Sequence, residues 1–393
     1  MPGASATVRS LPFGIWALGL GSMLMDTSSE LIHSLLPVFM ATVLGASMMT
    51  IGIVEGVAEA TAAITKIFSG ALSDYLGKRK FLLVLGYALA AFTKPIFPLA
   101  TSIGWVFGAR FVDRVGKGIR GAPRDALVAD ITPPQLRGAA YGLRQALDSV
   151  GAFLGPLLAV LFMAWFADNL EATMWIAVIP AFMAVAVLMI YVREPEHAQA
   201  EAKAPLKFSD AKRLPLRYWL VVLLGAVFTL ARFSEAFLVL RAQSVGLALG
   251  LVPIVMIVMN IVYAALAYPA GAAADRMSPR SLLVAGLAIL AAADIVLALA
   301  TSPFPVFAGG ALWGLHMALT QGLLSKLVAD TAPAPLRGSA FGVFNLVSGC
   351  ALLLASVIAG ALWGAYGAPA TFIAGAAFAA ITALGLLAYR PPH

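Results

Sequence analysis

The sequence predicts an all-α integral membrane protein with twelve transmembrane helices in two pseudo-symmetric six-helix bundles. Three observations predict it. First, 61% of the 393 residues are hydrophobic and only 11% are charged, whereas a soluble domain carries roughly 25% charged residues. Second, apolar stretches of about 20 residues, the length that crosses a bilayer, follow one another almost without pause. Third, LVADITPPQLRGAAYG at 127–142 returns as LVADTAPAPLRGSAFG at 327–342, a constant offset of 200 residues.

Apolar windows place the spans near 12–42, 48–72, 81–101, 104–126, 138–165, 173–192, 218–240, 251–272, 281–301, 305–327, 338–364 and 369–389. The longest polar connection, REPEHAQAEAKAPLKFSDAKRLPLR at 193–217, separates six spans from six. It divides the chain into a bundle at 1–195, a flexible linker at 196–217 and a bundle at 218–393. The two copies of the repeat fall at equivalent ends of spans 4 and 10, so both halves have the same orientation, related by an axis along the membrane normal. Within each copy, Gly138/Gly142 and Gly338/Gly342 are spaced for close helix approach. Arg137 and Arg337 stand at the water boundary, with Asp130 and Asp330 as expected partners.

The formal net charge of +7 would suggest nucleic acid in a soluble protein, but its location argues for a lipid bilayer as the partner. Basic residues crowd the loops after spans 2, 4, 8 and 10 and the central linker, while TSIG, FADNLEAT, TSPFP and GAYGAP carry no Lys or Arg. The positive-inside bias then puts both termini and the linker in the cytoplasm. The opening apolar run continues past Asp26, without a cleavage site of small residues, so it is read as a span and not as a removable signal. The single cysteine, Cys350, excludes a disulfide framework, and no metal cluster or cofactor motif is visible. The four histidines, at 33, 197, 316 and 393, do not cluster into a catalytic constellation, so an enzyme is not expected. The nearest approach to a phosphate loop, GKGIRG at 116–121, lacks the Lys-Ser/Thr ending and lies in a span, which disfavours an ATP-driven pump.

The loop GALSDYLGKRK holds Gly70, Asp74, Gly77 and Arg79, and its counterpart GAAADRMSPR holds Asp275. Both resemble the signature loop of the major facilitator superfamily. RVGKGIRGA in span 4 is similar to that family's second motif, with Lys117 where many members have Gln. Gly142, Gly151, Gly155 and Pro156 in span 5 match the first fixed positions of its antiporter motif, with Ala159 and Val160 replacing the closing glycine pair. The resemblance implies the twelve-helix fold, a monomer, and a secondary active transporter of a small-molecule substrate by alternating access. It also implies a cytoplasmic gate at Gly70, Asp74, Gly77, Arg79, Asp275, Arg137 and Arg337, and a part for Arg114 in proton coupling. Its antiporter motif implies proton-coupled efflux from a bacterial inner membrane. The alternative is a proton symporter importing a small organic anion.

An ionisable residue at bilayer depth costs about 2.5–3.5 kcal/mol on insertion scales, so each one needs a partner, water or a task. Asp26, Glu30 and His33 share one face of span 1, and Glu55, Glu59 and Lys66 one stripe of span 2. Asp26, Glu30, Glu55 and Glu59 are the expected proton carriers, and Arg110 and Arg114 are expected to hold an anionic substrate or to depress the pKa values of those acids in one conformation. Substrate contacts are expected from His33, Lys94, Arg110, Arg144, Asp148, Arg232 and Glu235. Arg120 and Arg124 stand close enough to the end of span 4 to reach water by snorkelling. Bland counterparts exist: Asp113 with Arg110, or Glu59 with Lys66, as internal pairs, and His316 as a hydrogen-bonded bundle residue.

Overall fold

Each of the twelve apolar windows becomes helical in the computed structural model, which describes residues 10–194, 213–274, 276–333 and 336–388. No strand occurs among the described residues. Spans 1 and 2 are α1 (Phe13–Thr42) and α2 (Met48–Leu76). Span 3 is α3 (Arg79–Thr93), followed by a 3-10 turn at Lys94–Ile96. Pro95 has no N–H and its ring crowds the preceding turn, which disfavours continuation of the α-helix here. Lys94 is thereby fixed at the helix end. Spans 4 and 5 are α4 (Ile103–Ile131) and α5 (Arg137–Trp165), and span 6 is divided at Ala177 into α6 (Leu170–Ile176) and α7 (Val178–Tyr191).

Span 7 is interrupted: α8 (Leu216–Leu230) and α9 (Ala236–Ser244) are joined by irregular backbone at 231–235. Spans 8 and 9 are α10 (Ile254–Ala274) and α11 (Pro279–Leu299). Span 10 is split into α12 (Pro303–Thr320) and α13 (Leu323–Thr331) at Gly322, whose φ of +74° is one that glycine adopts without penalty. Spans 11 and 12 are α14 (Arg337–Tyr366) and α15 (Ala368–Ala388). Among the described residues, six helical stretches are long and apolar enough to cross a membrane by length and composition alone. α1, α2 and α4 are as long, at 30, 29 and 29 residues, but carry the ionisable side chains discussed above.

The chain packs as two units. The first comprises the described residues through Leu36 and those from Thr61 to the end of span 6; the second comprises Pro37–Ala60 and spans 7–12. Most of the expected linker, residues 196–212, lies outside the described residues. In the first unit α3 runs along α4 and against α7, around Leu18, Met25, Leu83, Tyr87, Leu127 and Leu188. In the second, α11 contacts both α12 and α15, α10 lies along α12, and α14 packs on α8. There, the first part of α2 approaches α14 backbone to backbone: a Cβ at Gly56 would stand 2.9 Å from the Leu353 carbonyl. Such contacts supply the dispersion that associates helices where lipid gives no hydrophobic drive.

Candidate functional site

α4 organises the first unit. Arg110, Asp113, Arg114 and Arg120 are all at most 4% exposed. The end of α3 aims the Lys94 ammonium at Asp113, 2.8 Å away, and Lys94 also donates to the Ser29 hydroxyl at 3.1 Å. Asp113 in turn lies 3.7 Å from Arg114 Nε. The single carboxylate thus serves two cations from two helices, and the pairing partner is Lys94 in addition to the neighbours on its own helix. Lys94, expected to touch substrate, instead has its charge engaged in this buried pair, and Arg110 sits beside it at 2% exposed.

Two turns along α4 from Asp113, Arg120 does not snorkel. Its guanidinium lies over the Tyr87 ring, 4.5 Å from the centroid, and its Nη2 is 3.8 Å from Asp26 on α1. Arg124 is likewise turned inward, donating to Ser22 on α1 at 2.5 Å and standing 3.7 Å from Asp148 on α5. Arg144 completes the group, 3.2 Å from Asp125 and 3.5 Å from Asp148. Glu30 and His33, one turn apart on α1, approach at 3.6 Å. Nearness to the end of span 4 does not carry Arg120 and Arg124 to water, because their face of α4 is covered by α1 and α3.

The glycines of span 5 separate into two kinds. A Cβ at Gly151 would meet the Met23 carbonyl at 2.6 Å and the Asp26 Cβ at 3.0 Å. One at Gly155 would meet the Glu30 Cβ at 2.6 Å and Leu31 N at 2.8 Å. These two glycines, with Pro156 buried beside them, let α5 lie directly on the acidic face of α1. Gly138 and Gly142 do not share this role: a Cβ at either would meet nothing within 4 Å, so the expected close approach there is corrected. Accordingly, Gly155→Ala lowers stability by about 1–3 kcal/mol through overpacking against main chain, whereas Gly142→Ala stays within about 0.5 kcal/mol of wild type. Thermal unfolding of the two variants in detergent checks this ordering.

At the expected gate, Gly77 ends α2 with φ +60°, a conformation that requires glycine or pays strain. Gly70 is in ordinary contact with Ala122, 3.5 Å from a Cβ placed on it. Arg79 pairs with Asp130, so Asp130 is not the partner of Arg137, whose Nε donates to the Ala129 carbonyl at 3.2 Å. Sequence reading missed Glu194, whose carboxylate accepts from the backbone N–H of Arg79 at 2.7 Å and of Lys80 at 2.8 Å. It caps α3 from a distance, where the orphan donors of a helix start favour an anion. The side chains of Asp74 and Arg337, and Asp275 altogether, lie outside the described residues, as does the side of Gly338.

In the second unit Glu55 is fully buried and Glu59 partly so, both on the segment of α2 that packs there. Arg232 and Glu235 occupy the irregular backbone of span 7, with Arg232 Cζ 5.8 Å from the centre of the Phe228 ring. His316 is fully buried with Nδ1 2.8 Å from the Gly286 carbonyl, a bundle hydrogen bond as its bland reading has it. Asp294, not singled out from sequence, is fully buried and accepts from Trp313 Nε1 at 3.0 Å. An isolated acid in an apolar span was the signal that could have found it. Arg241 is a third such residue, donating to the carbonyls of Leu297, Ala298 and Ala300 at the end of α11.

Long apolar helices, alongside helices that carry buried and paired charges, describe a multi-pass membrane protein. The sequence profile of the Major Facilitator Superfamily matches residues 18–259 and 233–393, and the chain belongs to that family. An MFS-type transporter of Methanocaldococcus jannaschii is 33% identical over 387 residues, covering 96% of this chain and 95% of that one. The class C tetracycline resistance protein of Escherichia coli is 28% identical, covering 71% and 72% of the two chains. Among solved structures, a POT family transporter in complex with a thioalcohol-conjugated peptide superposes with a TM-score of 0.81 over 97% of this chain and 98% of its own. At 13% identity that likeness shows the fold alone.

Proposed function

We propose that the protein is a proton-coupled exporter that exchanges protons for a small organic solute by alternating access, with Asp26 as a proton carrier. The observation that carries this reading is the placement of Asp26: a carboxyl in mid-helix, 26% exposed, 3.8 Å from Arg120 and held against α5 at Gly151. A carboxyl that can pair with an arginine or accept a proton changes the local charge by one unit, which is what coupling to a proton gradient needs. Glu30, Glu55, Glu59 and Arg114 belong to the same proposal. So do the gate at Gly70, Asp74, Gly77, Arg79, Arg137, Asp275 and Arg337, a bacterial inner membrane, and termini in the cytoplasm. Export is supported by the antiporter-type glycines on α5 and by the kinship with a tetracycline resistance protein.

A second reading, proton symport importing a small organic anion, is favoured by one observation: buried N–H groups of Arg120, Arg124 and Arg144 have no hydrogen-bond acceptor. Transport of a labelled compound panel separates the two. Everted membrane vesicles made acidic inside are expected to accumulate a solute that intact cells expel. Uptake of that solute into intact cells under an inward proton gradient would replace export with import.

A further inference from the structure

The cluster between α1, α4 and α5 contains more carboxylates than one carrier requires. Arg124 connects Ser22, one turn before Asp26 on α1, to Asp148 on α5, at 2.5 and 3.7 Å. Asp148 lies three residues, almost one turn, before Gly151, whose own Cβ would touch that of Asp26. Asp26 and Asp148 thus stand on facing surfaces of α1 and α5, each within 4 Å of an arginine of α4, Arg120 for the first and Arg124 for the second. Two atoms of the cluster lack partners. Asp148 Oδ1 is buried with no hydrogen-bond partner, and so is Nη1 of Arg120, a side chain only 5% exposed. The separation of 3.8 Å between Arg120 and Asp26 exceeds hydrogen-bond length, leaving that pair half open.

Like charges this close do not both stay ionised at equal cost. We propose that Asp26 and Asp148 act as one coupled acid pair, sharing a single proton beside Arg120 and passing it between α1 and α5. In the transfer, the proton leaves a carboxyl oxygen of Asp148 and adds to the carboxylate of Asp26, so the pair keeps one proton and one negative charge throughout. When the shared proton departs, three carboxylates, Asp26, Asp125 and Asp148, face three guanidinium groups, Arg120, Arg124 and Arg144, and the cluster is neutral. When it returns, the cluster gains one positive charge. Lys117 on α4 also acts on Asp26. From α3, Tyr87 lies under Arg120, and the Lys66 stem of α2 reaches Gly121, the next residue along α4. The pair deepens the carrier role proposed for Asp26 and rests on it for function, but its chemistry can be read without transport.

The test is an infrared titration of the carboxyl C=O band of the purified full chain. Coupled acids lose their protons in two macroscopic steps separated by more than about 1 pH unit, which belong to the pair. Wild type is expected to show two such steps, Asp148→Asn and Asp26→Asn one each, and Asp148→Glu to restore both. A thermal melt of each variant establishes that it is folded. If the wild-type curve equals the sum of the two single-variant curves, or if Asp148→Asn leaves the step of Asp26 unmoved, the pair is refuted. Coupled titration without proton-driven transport would remove the exporter reading and leave the pair standing, and additive titration with intact transport would do the reverse.

Discussion

Replacing Asp113 with asparagine lowers the stability of the protein by about 3–5 kcal/mol, the cost of breaking a buried ion pair from one side. The size follows from what remains. Lys94 is 1% exposed, and without Asp113 its ammonium keeps only the Ser29 hydroxyl, at 3.1 Å, as a hydrogen-bond acceptor among its described contacts. Arg114, 3.7 Å from the same carboxylate, then adds like-charge repulsion. Lys94→Met costs less, because Asp113 retains Arg114 beside it. The double variant, Lys94→Met with Asp113→Asn, recovers much of the loss, since no ammonium remains to be compensated. Thermal unfolding of the three proteins in detergent orders them, and an Asp113→Asn protein as stable as wild type would show that the pair contributes nothing.

The twelve crossings were legible because the bilayer sets the length of an apolar helix, and no partner elsewhere in the chain is needed to read it. The interruptions were not. Nothing in ARFSE at 231–235 resembles a proline break, and the irregular backbone there is held by tertiary bonds, among them Ser234 N to Ser356 Oγ at 3.2 Å. Charge partners show the same limit. Helical spacing places Asp26, Glu30 and His33 on one face, and the contact of Glu30 with His33 at 3.6 Å lies within that face. It is silent on Lys94 and Asp113, which meet because α3 stops before Pro95 and α4 lies alongside. The glycines make the point most sharply: Gly138 and Gly142 have the same spacing as Gly151 and Gly155, yet only the latter two face a neighbouring main chain. Period finds the face of a helix, while the neighbour on that face is a property of the packed bundle.

The largest functional effect is expected from Asp26→Asn: solute accumulation driven by a proton gradient disappears, while exchange of solute between equal pools continues. One charge crossing 100 mV is worth about 2.3 kcal/mol, roughly a 50-fold concentration ratio per coupled proton, and that ratio is what the variant forfeits. Exchange survives because asparagine keeps the size of the side chain, so the seat of α1 on Gly151, where the Asp26 Cβ stands 3.0 Å from a Cβ position, is undisturbed. Arg120 keeps its place over Tyr87. Glu30→Gln is expected to be milder, because Glu30 is already engaged with His33 at 3.6 Å and a glutamine can hydrogen-bond the same ring. Proteoliposomes with an imposed pH gradient measure accumulation, and the same vesicles at equal pH measure exchange, with whichever labelled solute the wild-type protein moves. Asp26→Asn protein that accumulates this solute as wild type does would take Asp26 out of the coupling. Loss of exchange as well as accumulation would make it a residue that binds the solute or moves the helices, with the proton carried by another group.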